Sequence, residues 1–153
     1  MKIAIGCDHG GFILKEEILN YLNKNGYEII DYGTNSDKAV DYSDYGEAVA
    51  NCVAGGEADF GVVMCGTGIG ISISANKVPG IRCALLSDVF SAKATRLHNN
   101  ANMVAMGGRV IGAGLALEIL DAFLHTSFSG DERHMRRISK ITGIEEKYIC
   151  RNT

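Results

Sequence analysis

The residues best suited to chemistry stand in one short run, Cys65-Gly66-Thr67-Gly68-Ile69-Gly70. Alternating glycines after a cysteine set a thiol beside backbone that can turn tightly and come close to a ligand. If a helix opens at Gly66, its first N–H groups lie next to the sulfur and stabilise negative charge there. An anionic sulfur in that position is a general base or a nucleophile. The competing reading is a buried cysteine that merely ends a strand. The spacing differs from the dinucleotide fingerprint Gly-x-Gly-x-x-Gly, and no lysine follows as in a phosphate-binding P-loop.

Other polar groups are candidates for the same site. Asp8 and His9 precede Gly10-Gly11, and His98 precedes Asn99-Asn100 in what reads as a polar loop. Both histidines are suited to carry protons near neutral pH. Arg133 and Arg137 are four residues apart, so a helix would place both on one face, a geometry suited to bidentate capture of phosphate. The competing reading is a solvated basic face. His134, between them, is a further phosphate donor, while His125, ending an apolar helix, reads as a C-terminal cap. Cys7, Cys52 and Cys83 sit in apolar surroundings and read as small buried hydrophobes.

The elements that must position these groups alternate from the start. Strands are expected at Lys2 to Gly6, Tyr27 to Tyr32, Phe60 to Cys65, Ile81 to Leu86 and Met103 to Met106. Helices are expected at Phe12 to Asn25, Tyr45 to Ala54, Gly66 to Asn76, Asp88 to Leu97 and Ile111 to Leu124, with a polar loop from Gly33 to Asp44. Arg133 to Tyr148 reads as one or two short helices. Strands separated by helices of this length imply right-handed crossovers and a parallel sheet between helix layers. The fold class is thus α/β, a three-layer α/β/α sandwich on five parallel strands. Residues 1–153 read as a single domain with a helical tail at about 131–150. Ligands bind beyond the carboxyl ends of such strands. The residues after strands one, three and four, with Arg96 to Asn100 and Gly107 to Arg109 bracketing strand five, are expected to gather at one rim.

Composition narrows the partners. The chain has 153 residues, 46% hydrophobic and 22% charged, with a net charge of −3, which offers no global attraction to nucleic acid or membrane. No apolar run reaches the ~20 residues that span a bilayer, and Met1 to Gly6 is expected to enter a strand directly, without a leader pattern. The five cysteines, Cys150 included, form no Cys-x-x-Cys pair, so neither a disulfide framework nor a structural zinc site is expected. Reduced thiols in a cytoplasmic protein are the consistent reading.

Taken together, Asp8-His9-Gly10-Gly11, Cys65 to Gly70, Asn76-Lys77, Arg96-Leu97-His98-Asn99, Ala101-Asn102, Gly107-Gly108-Arg109 and Arg133-His134-x-x-Arg137 resemble the type B ribose-5-phosphate isomerases, in order and over nearly the whole chain. That family also holds galactose-6-phosphate isomerase subunits and allose-6-phosphate isomerases. The resemblance implies a Rossmann-like fold and interconversion of ribose 5-phosphate and ribulose 5-phosphate without metal or organic cofactor. It further implies a homodimer or dimer of dimers with sites at the subunit interface. Cys65 would move the proton between C2 and C1 through an enediolate. The N–H groups of Gly66, Thr67, Gly68, Ile69 and Gly70 would hold the oxyanion, with Thr67 assisting. His98 would help open the furanose ring near Asp8 and His9, Asn99 would contact sugar hydroxyls, and Arg109, Arg133 and Arg137 would bind phosphate. The segment Gly130-Asp131-Glu132 is one residue longer than the family's usual glycine pair, which makes Arg136 an alternative phosphate partner. Asn100 stands where aspartate is common and Ser43 where proline is usual.

Three rivals arise from the same residues. A hexose 6-phosphate isomerase would use the same chemistry over a longer reach. A non-catalytic phosphosugar- or nucleotide-binding module would have no need of Cys65, His98 and Asp8 together. A receiver domain would need an aspartate where Cys65 ends its strand.

Overall fold

In the computed structural model, which describes residues 1–149, five strands form one parallel sheet in the order β2-β1-β3-β5-β4. The strands are β1 (Lys2–Cys7), β2 (Glu28–Asp31), β3 (Phe60–Cys65), β4 (Cys83–Leu85) and β5 (Met103–Gly107). The helices are α1 (Phe12–Lys24), α2 (Tyr42–Ala54), α3 (Ile69–Ala75), α4 (Val89–Asn99), α5 (Ala113–His125) and α6 (Glu132–Ile149). Cys150 lies outside the described residues.

Successive side chains on a strand point to opposite faces, and both faces here are apolar. Ile3, Ile5, Val62, Met64, Val104 and Met106 pack with Leu14, Ile18, Ile119 and Phe123 of α1 and α5. Ala4, Val63, Cys65, Met103 and Ala105 pack with Val49, Ala50, Val53 and Ile71 of α2 and α3. The result is the expected α/β/α sandwich, with near-continuous apolar strands because neither sheet face meets water.

Several bounds differ from the sequence reading. α2 starts at Tyr42, inside the expected loop, because Asp41 in extended backbone begins the turn. α3 starts at Ile69 rather than Gly66, because Gly68 adopts a left-handed conformation that no helix interior accepts. β4 covers only Cys83–Leu85, and β5 gains Gly107. The Asp88 side chain caps α4 by accepting the Ser91 N–H at 2.7 Å. α4 then continues to Asn99, so His98 and Asn99 occupy its last turn rather than a loop. The tail is one 18-residue helix that passes through Gly143.

The largest correction concerns the rim. In a parallel sheet, the segment leaving a strand starts at the C-terminal edge, and the segment entering the next strand arrives at the N-terminal edge. α4 leaves the C-terminal edge after β4 and ends three residues before β5, so Arg96 to Asn100 lie at the N-terminal edge. Eleven residues of helix span about 16 Å, which separates them from Cys65 by the depth of the sheet.

Candidate active site

Three loops meet at the C-terminal edge. The Asp8 N–H after β1 donates to Met64 O of β3 (3.1 Å). Beyond β5, the N–H groups of Gly108 and Arg109 donate to Cys65 O (2.9 Å) and Gly66 O (3.0 Å). The buried Asp8 carboxylate accepts the N–H groups of Gly10 (2.8 Å) and Gly11 (3.1 Å), which folds the first loop onto itself. His9 Nδ1 accepts the Val40 N–H at 3.3 Å.

Cys65 is at the floor of this junction, 4% exposed, with Sγ accepting the Gly68 N–H at 3.1 Å. That contact requires the turn at Gly68, where φ is +76°, a region that glycine enters without strain. With only seven residues in α3, the local N–H rather than a long helix dipole provides the positive end beside the sulfur. Thr67 is exposed, and its hydroxyl accepts the Ile69 N–H at 3.3 Å. Two of the five expected oxyanion donors, Gly68 and Ile69, thus have partners within the loop. Gly66 lies under the Arg109 side chain: a Cβ built on it would be 3.6 Å from the Arg109 guanidinium.

The second cluster is at the N-terminal edge. His98 stacks on His134 with ring centroids 4.5 Å apart. Arg133 and Arg137 are exposed on α6, and Arg133 lies 3.4 Å from Asp131. His134, read from its sequence position as a phosphate donor, is buried, with its ring against that of His98. Burial, with help from His98 and Arg133, pushes its imidazole below the usual range. Asp8, His9, Cys65 to Gly70 and Arg109 therefore share one edge, while His98, Asn99, Arg133 and Arg137 share the other. A single chain does not bring them together.

Over residues 3–141 the chain matches the family described as Ribose/Galactose Isomerase. It belongs to that family. It is 51% identical to ribose-5-phosphate isomerase B of Escherichia coli over 95% of this chain and 97% of the relative. It is 45% identical to the galactose-6-phosphate isomerase subunit LacB of Clostridium acetobutylicum over 95% of this chain and 83% of that one. A solved ribose-5-phosphate isomerase B from Clostridium thermocellum superposes with a TM-score of 0.95 at 54% identity, covering 97% of this chain and 99% of that one.

Within this isomerase fold some groups near the site carry no sequence signal. Tyr42 lies against α3, and a Cβ on Gly70 would meet its ring at 2.6 Å. Lys15, fully buried, bonds Asp31 (2.9 Å) and Asn35 (3.1 Å) and so fixes the loop after β2. Arg96, grouped by sequence with the polar rim, is structural: its guanidinium bonds Asn100 Oδ1, Ala101 O and Thr126 O and lies over the Phe60 ring. His125, the last residue of α5, donates its Nδ1–H to Asp121 O (3.0 Å), in keeping with its capping role. Burial pushes the Cys7 thiol up to about 11 and Cys83 to about 12, as expected of small buried hydrophobes. Among the described residues, no His, Cys, Asp or Glu cluster is placed to hold a metal ion, and no helix is long and apolar enough to cross a membrane.

Proposed function

We propose that this chain interconverts ribose 5-phosphate and ribulose 5-phosphate at a site assembled from two copies of itself. The observation that carries the reaction is the Cys65 sulfur, held at the floor of a glycine turn with an N–H aimed at it. The observation that carries the assembly is the separation of the two clusters by the depth of the sheet. Each edge holds half of what the reaction needs, and the symmetric pairing of two copies gives every half its complement.

In this scheme His98 of one copy exchanges protons with the furanose, so that the C1–O4 bond breaks and the aldehyde forms, with Asp8 and His9 of the other copy alongside. Cys65 takes the C2 proton and the electron pair flows to O1, giving the enediolate. The N–H groups of Gly66, Thr67 and Gly70 stabilise the oxyanion, with Gly68 and Ile69 holding the loop in shape. A proton passes from O2 to O1 and the sulfur returns its own to C1, so Cys65 ends as it began. Arg109 from one edge and Arg133 and Arg137 from the other fix the phosphate, and Asn99 contacts sugar hydroxyls. A positioned base contributes ~10²–10⁴-fold and each preorganised oxyanion donor about 3–4 kcal/mol. Neither metal nor organic cofactor has a role in these steps. The reading assigns the protein to the cytoplasm, in keeping with four free thiols among the described residues.

Replacing Cys65 with alanine tests the chemistry. Turnover of ribose 5-phosphate should fall by ~10³-fold or more while the fold persists, and substrate should protect Cys65 of the wild type from alkylation. Retained turnover would remove the sulfur from the mechanism. A kcat/KM for allose or galactose 6-phosphate above that for ribose 5-phosphate would shift the assignment to a hexose, and binding without turnover would make the chain a phosphosugar-binding module.

A further inference from the structure

His134 differs from its neighbours on α6. Arg133 and Arg137 face solvent, whereas His134 is only 5% exposed. Its ring lies nearly flat on that of His98, with planes 17° apart and centroids at 4.5 Å. Its Nε2 is buried with no hydrogen-bond partner among the described residues. The nearest carboxylate, Asp131 Oδ2, is 3.8 Å away, too far for a hydrogen bond. An unpaired buried nitrogen is costly, and leucine would fill the same space without that cost. What the ring does, and leucine would not, is present a flat face to His98.

We propose that His134 is a positioning residue for His98, its stacked ring fixing the plane in which the exposed imidazole meets the sugar. His98 is on the last turn of α4, where a side chain open to solvent would otherwise sample several rotamers. The catalytic consequence rests on His98 opening the sugar ring; the stack itself does not. The groups facing His134 are His98 from α4, Arg133 and Arg137 from its own helix, and Asp131 from the turn before it. Burial and the three cationic or potentially cationic neighbours favour its neutral form, with Asp131 opposing.

The experiment compares His134→Leu, His134→Gln and His134→Phe, each alone and combined with His98→Asn. Two readouts are taken: ribose 5-phosphate kinetics and the NMR resonances of the His98 ring. The leucine and glutamine variants should lower kcat by about tenfold to a hundredfold with KM nearly unchanged, the size of effect that a misplaced catalytic group produces. The phenylalanine variant, which keeps a ring to stack on, should recover most of that loss. With His98 already asparagine, no variant at 134 should lower kcat further, since His134 acts only through His98. The His98 ring protons should lose their ring-current shift in the leucine and glutamine variants and keep it in the phenylalanine one. Undiminished kcat in the folded leucine or glutamine variant, or an equal loss in the His98→Asn background, would overturn the proposal. If the wild type fails to turn over ribose 5-phosphate, the functional assignment fails instead. The His98 resonances then decide the stack alone, and their constancy across all variants would refute it.

Discussion

At the C-terminal edge of the sheet the backbone holds the site together, and at the N-terminal edge side chains do. The loops after β1, β3 and β5 are tied by N–H groups of Asp8, Gly68, Gly108 and Arg109. Below, the end of α4 is gathered by guanidiniums: Arg96 reaches Asn100, Ala101 and Thr126, and Arg82 reaches Asn99 O and Asn100 O at 3.0 and 3.1 Å. The upper edge therefore fixes the Cys65 sulfur and its neighbouring loops through short backbone contacts. The lower edge is a scaffold of long side chains, with His98, Arg133 and Arg137 exposed beside it. In the proposed scheme the two edges also divide the chemistry. A proton-transfer base tolerates little displacement, whereas an anion clamp can reach.

The sharpest way to break this comparison is to disable one edge in each of two preparations. Cys65→Ala and Arg137→Ala chains should each be inactive or nearly so. Mixed and allowed to exchange, they should regain about a quarter of wild-type turnover, because random pairing under two-fold symmetry leaves one intact site in each mixed dimer. Activity that stays absent on mixing, with exchange verified, would mean that each site comes from one chain.

Next in size is Arg96→Met, which strands three acceptors, the buried Ala101 O and the half-buried Asn100 Oδ1 and Thr126 O, and should cost about 3 kcal/mol in urea unfolding. The rate of Cys65 alkylation in the folded variant should be unaltered, since the upper edge does not depend on Arg96. A changed rate would show that the two edges are coupled.

Alkali probes one thiol at each edge, Cys7 above and Cys83 below. Burial raises them to about 11 and about 12. Above roughly pH 9 the unfolded chain has released these protons and the folded chain has not, so stability is full below that pH and falls as pH rises. The loss should reach roughly 2–3 kcal/mol per thiol by pH 11. Urea midpoints at pH 8 and pH 11 check this, and Cys7→Ala or Cys83→Ala should each remove its share of the slope.

The smallest contrast compares two left-handed glycines. Gly26, before β2, has φ +73° and open space around it, so Gly26→Ala should cost only the strain, about 1 kcal/mol. Gly68 has similar backbone, but an added Cβ would lie 2.8 Å from the Met106 carbonyl carbon. Gly68→Ala should cost more in thermal unfolding and displace the N–H that serves Cys65.

The upper edge is legible in the sequence because its logic is local. Cys65 and its donor Gly68 are three residues apart, and Asp8 meets Gly10 and Gly11. Strand bodies are legible for the same reason, since apolar runs such as Phe60 to Cys65 announce themselves. The lower edge departs from the sequence reading, although chain order alone holds the correction: residues that precede a parallel strand lie at its opposite end from those that come after it. The burial of His134 depends on how α6 lies along α4, and the Lys15–Asp31 pair joins residues 16 apart through the packing of α1 on the sheet. Neither leaves a mark in local pattern. The continuity of α6 through Gly143 is hidden by glycine's poor helix propensity, which the surrounding helical turns override.

The 11-residue length of α4 has a consequence for how much activity a solution of this protein contains. Under the proposed scheme a lone chain keeps Cys65 and the arginines of α6 a helix apart, so it would own no complete catalytic centre however well it is folded. Specific activity should accordingly decline on dilution, tracking the loss of paired chains measured by sedimentation rather than the loss of secondary structure measured by circular dichroism.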